Sequence, residues 1–213
     1  MKKGLFIVFE GGEGSGKTTQ AKLLYDYYLE SGRDVLLTKE PGGDESICRD
    51  VRKILLNSEY KDIMSFRAEF LLFEADRAQH VEKIIRPAIQ LGRTVISDRF
   101  DAATFAYQCG ARKVSSLENF KITNGFATDG LKPDFTFWID IDPKVGLKRN
   151  VDINKRDRFE MEDIGFHNEV RNGYVTYFQE LANQESWIKL DGAKTIQDLH
   201  REIIETLKTK RLI

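Results

Sequence analysis

The sequence predicts an α/β fold with a five-stranded parallel sheet covered by helices on both faces. Three observations carry this. Five short runs rich in β-favouring residues occur at 4–10, 35–38, 94–97, 135–141 and 187–190. The stretches between them show apolar spacings of three and four, the helical period. The first run, Leu5-Phe6-Ile7-Val8-Phe9, is apolar at every position, as a strand buried on both faces must be.

The first strand leads directly into Gly11-Gly12-Glu13-Gly14-Ser15-Gly16-Lys17-Thr18, which fits G-x-x-x-x-G-K-[ST]. Residues 17–31 follow with apolar positions Ala21, Leu24, Tyr25 and Tyr28, so the loop stands between a strand and a helix. Glycines let successive backbone N–H groups turn inward around phosphate oxygens, and a helix start adds orphan donors and positive dipole. Lys17 is then placed to reach the outer phosphates of a nucleotide, and the Thr18 hydroxyl to hold a Mg²⁺ that bridges them.

The second strand ends in Lys39-Glu40-Pro41-Gly42-Gly43, a turn cluster at the carboxyl edge of the sheet, where such folds bind ligands. Residues 45–57 are expected to be helical and carry Arg49, Arg52 and Lys53. Residues 65–90 form a long helix in which Phe66, Phe70, Phe73 and Arg77 share one face. A core stripe accounts for Phe66 and Phe70. For Phe73 and Arg77 the spacing alone leaves two readings, core packing or an aromatic that stacks a planar base beside a cation that bonds its edge. Pro87 is expected to kink or restart the helix. Asp98-Arg99-Phe100 follows the third strand at once. It fits a Mg²⁺-linked carboxylate with a phosphate clamp, and it equally fits a structural ion pair. Helices are expected from 101 to 108 and over 117–126. After the fourth strand, Pro143 starts a helix through Arg149. The polar segment 150–163, with Lys155, Arg156 and Arg158, reads as a surface loop or as a lid over phosphates. A helix over 166–184, the last strand and a helix over 196–207 close the chain.

Bulk properties narrow the partners. The chain has 213 residues, the size of one α/β domain, and we expect a single domain spanning 1–213. Lys and Arg total 33 against 34 Asp and Glu, a net charge of -1, which supplies no general attraction for nucleic acid or anionic membrane. No apolar run reaches transmembrane length. Met1-Lys2-Lys3 runs straight into the first strand, so no cleaved leader is expected. Two cysteines, Cys48 and Cys109, are too few for a disulfide framework or a zinc site; two reduced thiols in a reducing compartment, the cytoplasm, are expected. Asn154-Lys155-Arg156-Asp157 fits N-K-x-D, a guanine-reading motif. It lies in the polar segment and not at a strand end, and the chain contains no D-x-x-G, so coincidence is the better account.

Four stretches together, in this order and spacing, resemble the thymidylate kinases of the bacterial kind, within the nucleoside monophosphate kinases of the P-loop NTPase fold. They are Phe9-Glu10 with the glycine loop through Thr19; Glu40-Pro41-Gly42-Gly43; Leu71-Leu72-Phe73-Glu74-Ala75-Asp76-Arg77; and Asp98-Arg99-Phe100 followed by Ala106-Tyr107-Gln108. The resemblance covers nearly the whole chain. It implies transfer of the γ-phosphoryl of ATP to dTMP with Mg²⁺, and a homodimer built through the long helices. By the same resemblance, Gly11, Gly12, Glu13, Gly14, Ser15, Gly16, Lys17 and Thr18 hold ATP, and Arg149 lies near the adenine side. Glu13 would also meet the deoxyribose 3′-hydroxyl. Phe73 would stack on thymine and Arg77 bond its edge. Arg99 and Arg52 would hold the dTMP phosphate, Thr104, Tyr107 and Gln108 would line the nucleoside pocket, and Asp98 would act at the catalytic centre. One branch of the family has an arginine where this chain has Gly14, so the lid is expected to supply the missing cation. Arg158 is the match, with Arg156 as the alternative.

Some positions depart from the family pattern. Lys39 stands where arginine is common, Phe100 for tyrosine or histidine, Ala103 for serine and Cys109 for glycine. Val151 and Ile153 occupy lid positions that are often basic. Two other readings compete: a kinase for another pyrimidine nucleotide or nucleoside, and a non-catalytic nucleotide-binding protein.

Overall fold

A computed structural model describes residues 3–43, 45–150, 157–180, 182, 185–210 and 212–213. The lid positions Val151, Ile153, Lys155 and Arg156, and Asn154 of the N-K-x-D match, lie outside the described residues.

In chain order the elements are β1 (Phe6–Glu10), α1 (Lys17–Glu30), β2 (Val35–Lys39), α2 (Ser46–Leu56), α3 (Phe66–His80) and α4 (Arg86–Gln90). They continue with β3 (Thr94–Asp98), α5 (Asp101–Thr104), α6 (Leu117–Thr128), β4 (Phe135–Asp140), α7 (Pro143–Asn150), α8 (Ile164–Glu180), β5 (Trp187–Asp191) and α9 (Ile196–Thr209). All strand pairs are parallel, in the order β2-β3-β1-β4-β5. This is the expected five-stranded sheet. β1 is central, so the glycine loop leaves the middle of the sheet's carboxyl edge. The register pairs Phe9 with Asp98, which puts the end of β3 beside that loop.

The alternation of β1 feeds both cores. Ile7 and Phe9 pack under α1 and α9, against Leu24, Tyr28, Leu199 and Ile203. Phe6 and Val8 pack on the other face against Val81, Ile85 and Ile89. Further along that layer, Trp138 of β4 meets Phe105, Tyr174 and Tyr177. The four apolar side chains of β1 are all fully buried, which explains the unbroken apolar run.

Two departures from regular helix bear on the site. The long helix is continuous over 66–90, but residues 81–85 form a π-turn just before Pro87. Proline removes one N–H and crowds the preceding carbonyls, so the hydrogen-bond ladder shifts there instead of ending. The helix begun by α5 likewise passes into a π-turn over 105–111, which carries Tyr107 and Gln108. Ser65 caps α3, its hydroxyl accepting from the Ala68 N–H.

Candidate active site

The glycine loop adopts the conformation its composition allows. Gly14 and Gly16 have φ of 66° and 95°, a region closed to most side chains. A Cβ on Gly14 would lie 1.9 Å from the carbonyl oxygen of Gly146, and one on Gly146 would lie 2.2 Å from that of Glu13. Backbone therefore packs on backbone where α7 meets the loop, and no side chain fits at 14. Lys17 curls back to donate to the Gly12 carbonyl at 3.1 Å. The Thr18 hydroxyl donates to Asp98 Oδ2 at 2.5 Å, while Asp98 Oδ1 is buried with no hydrogen-bond partner.

Arg99 joins the loop to the neighbouring wall. Its φ of 76° turns it sharply out of β3. One terminal nitrogen donates to Gly11 O (3.1 Å) and Tyr174 Oη (3.2 Å), the other to Glu13 Oε1 (2.5 Å) and Tyr107 Oη (3.2 Å). Tyr107 also donates to Glu13 Oε1 at 2.6 Å. Burial works against charge on Glu13, but Lys17 and Arg99 more than offset it and hold the carboxyl at about 2.

A cleft of about 210 Å³ runs from this loop between α3 and the π-turn. Glu13, Lys17, Thr18 and Asp98 line one end, and Phe73, Arg77, Thr104 and Gln108 line the other; Lys39, Arg52, Arg99 and Tyr107 also face it. The chain thus brings most of the named residues to one cleft. Arg149 is placed elsewhere. It reaches the loop from the α7 side, donating to Gly192 O at 3.0 Å.

The wall opposite the loop is heavily hydrogen-bonded. Arg77 is buried and donates to Glu40 (3.0 Å), Asn124 (3.4 Å), the Phe100 carbonyl (3.1 Å) and the Thr104 hydroxyl (2.7 Å), and it is ion-paired with Glu74 at 3.0 Å. Thr104 itself also lines the cleft. Gln108 donates from Nε2 to Glu69 at 2.8 Å, and its Oε1 is buried without a partner.

Arg158, the expected lid cation, is held inside in this structure. It is buried, ion-paired to Glu69, bonded to the Leu55 carbonyl and packed on Phe159. A guanidinium carried into an apolar layer must find a carboxylate, and α3 presents one. Its neighbours Asp157, Phe159 and Glu160 face the cleft instead.

Several contributors escaped the sequence reading. Glu10 ends β1 fully buried; it accepts from the N–H groups of Phe100 (2.8 Å) and Ala103 (3.3 Å) and from the Tyr174 hydroxyl (2.9 Å). Burial pushes its carboxyl up to about 7, with Arg99 opposing. An acid closing an apolar strand was the available signal. His80 and Asp76 hold the turn after β2: His80 lies between Glu40 (2.9 Å) and Thr38 (2.7 Å), and Asp76 accepts from the Gly42 N–H at 3.0 Å. Tyr174 lies in α8 and had no local signal.

Comparison with known proteins agrees with this geometry. The thymidylate kinase family model matches residues 9–203. The chain is 42% identical to the thymidylate kinase of Sulfurihydrogenibium sp. (strain YO3AOP1), over 99% of this chain and all of the relative. It is 42% identical to that of Halothermothrix orenii over 97% of each chain, and 40% identical to that of Finegoldia magna over 98% of this chain and all of the relative. A strand–glycine-loop–helix unit at the centre of a parallel sheet, opening on a base-sized cleft, and full-length likeness of this degree give one conclusion: the chain belongs to the thymidylate kinase family and is an ATP-dependent nucleoside monophosphate kinase whose acceptor is dTMP.

Proposed function

We propose that the two ends of the cleft are the donor and acceptor halves of one phosphoryl-transfer site. The carrying observation is that Lys17, Thr18 and Asp98 line the same cleft as Phe73, Arg77 and Gln108. Residues 11–18 hold the ATP phosphates on backbone N–H groups and Lys17, and Arg149 backs the loop on the adenine side. Phe73 stacks on the thymine ring. Arg77 exchanges its Thr104 bond for a base oxygen, and the orphan Gln108 Oε1 accepts the imide N–H. Arg99 and Arg52 hold the acceptor phosphate, while Glu13 and Tyr107 meet the sugar. Transfer needs little covalent help from such a site. It needs the acceptor oxygen in line and stabilisation of the charge that spreads in the transition state.

Mg²⁺ fits the donor end. The Thr18 hydroxyl and Asp98 are hard oxygen donors, and Asp98 Oδ1 has no protein partner. Among the described residues no group of three or more His, Cys, Asp or Glu side chains could hold a metal. Thr18 and Asp98 would hold the ion together with oxygens from outside the protein, and when bound it would neutralise phosphate charge.

We read the chain as one domain with residues 150–163 as a lid, since Asp157, Phe159 and Glu160 already face the cleft. A homodimer is supported by exposed Ile63, Leu71, Ile122 and Phe126 around α3 and α6; light scattering tests it. Residence in the cytoplasm is supported by two free thiols, and no helix among the described residues is long and apolar enough to cross a membrane. The deciding experiment is a coupled assay with ATP, Mg²⁺ and a panel of nucleoside monophosphates. Turnover of dTMP far above dCMP and AMP is expected; equal turnover of all would overturn the acceptor assignment.

A further inference from the structure

Glu69 is wholly buried on α3, one turn before Phe73 and two before Arg77. It does not line the cleft. Its Oε1 accepts from Gln108 Nε2 at 2.8 Å and lies 3.6 Å from Arg112 Nε, and its Oε2 is paired with Arg158. One amide and two guanidinium groups, from the π-turn and its end and from the segment after residue 156, therefore converge on one carboxylate. Nothing in the roles assigned above uses it.

The chemistry of this contact constrains the neighbour. An amide has a donating end and an accepting end of nearly equal shape, and its orientation follows from its partners. An ionised carboxylate only accepts. Arg158 and Arg112 beside it offer donors only, so both oxygens of Glu69 act as acceptors here. Gln108 must then turn Nε2 toward Glu69, which leaves Oε1 facing the cleft. That oxygen is buried and unpartnered, so it demands a donor from whatever binds.

We propose that Glu69 is a positioning residue that sets the hydrogen-bond polarity of the acceptor-base site through Gln108. This rests on the reading that the cleft takes a pyrimidine monophosphate. A thymine or uracil ring offers an imide N3–H to Gln108 Oε1. A cytosine ring in the same pose offers the lone pair of N3, and two acceptors face each other in a dry site. A site built to pair one group rejects the analogue that leaves it unpaired. Arg158 adds a consequence. The carboxylate that orients Gln108 also anchors the segment after residue 156, so base polarity and lid anchorage share one residue.

The test is binding of dTMP, dUMP and dCMP to the full-length protein by calorimetry, without ATP. In Glu69→Gln the neighbour can donate or accept, so Gln108 is free to flip. The affinities for dTMP and dUMP are expected to fall together, about tenfold. That for dCMP stays or rises, so the dTMP-over-dCMP ratio shrinks by at least that factor. A ratio measured on one preparation is independent of its folded fraction. The exchange variant Glu69→Gln/Gln108→Glu restores a carboxylate, now at 108, whose second oxygen again only accepts. Its ratio is expected to return to within about threefold of the parent, and it decides the matter if Glu69→Gln does not fold. An unchanged ratio in Glu69→Gln, or a collapsed ratio in the exchange variant, overturns the proposal. Binding is read apart from transfer, so parent protein that bound dTMP without phosphorylating it would sink the kinase reading and leave this inference standing.

Discussion

Thr18 and Asp98 stand 80 residues apart in the chain and 2.5 Å apart in space. The parallel register of β1 and β3 makes this contact, because it sets Asp98 beside Phe9 at the strand end from which the glycine loop departs. Asp98→Asn keeps the shape and removes the charge. It is expected to raise the Mg²⁺ concentration needed for half-maximal activity and to lower kcat by about 10²-fold, the scale of losing one aligned electrostatic group. A Mg²⁺ titration of kcat checks this. An unchanged half-maximal concentration would remove Asp98 from the metal's surroundings.

Among the described residues the Lys17 ammonium makes one hydrogen bond, to the Gly12 carbonyl. Its loss removes positive charge from the phosphates more than it removes packing. Lys17→Ala should lower kcat about 10²–10³-fold while the melting temperature moves little. Parallel kinetics and thermal melts separate the two effects, and near-normal kcat would contradict the role.

Phe73 offers its ring to the cleft, braced by Phe159 at a centroid distance of 5.9 Å. Stacking on a base is worth about 1–3 kcal/mol by alanine substitution, so Phe73→Ala should weaken dTMP roughly tenfold in KM. The KM for ATP should stay put. Equal loss for both substrates would mean that Phe73 is packing only.

Arg158→Ala should act on stability before it acts on rate. It leaves Glu69 buried with the weaker Arg112 contact at 3.6 Å. Breaking a buried ion pair from one side costs about 3–5 kcal/mol. Chemical denaturation measures this directly. An unaltered midpoint combined with a large fall in kcat would restore Arg158 as a lid cation.

Glu10 confers a pH dependence with a definite sign. Its carboxyl is raised from 4.5 to about 7, chiefly by burial. Below 4.5 the group is protonated whether the chain is folded or not. As pH rises from 4.5 to 7 the unfolded chain gives up this proton first, so stability falls across that window. Asp76, also raised to about 7 mainly by burial, acts in the same direction. In Glu10→Gln the decline of melting temperature between pH 5 and 7 should be shallower than in the parent. Parallel slopes would show that Glu10 is not the group responsible.

The sheet and most of the cleft were legible because they rest on local rules. An unbroken apolar run means a strand covered twice, and glycines at fixed spacing mean a phosphate cradle. The four-residue step from Phe73 to Arg77 predicts a shared face. Glu10, Glu69, Tyr174 and the true place of Arg158 were not legible. Each is defined by a partner between 89 and 164 residues away or by the absence of one, as in Arg158 with Glu69 and Tyr174 with Glu10. A charged residue in a polar segment looks the same in sequence whether it ends in solvent or on a buried carboxylate.

The chain alone therefore determined the order of strands and helices, the phosphate loop and the residue types available to a nucleotide site, because these follow from periodicity and backbone conformation. Only the tertiary structure decided which charges pair. It gathered four acceptors and the Glu74 carboxylate around Arg77, set Gln108 Nε2 on Glu69 and drew Arg158 onto the same carboxylate. Burial makes an unpaired charge too costly, and only the packing of distant segments determines which partner lies within reach.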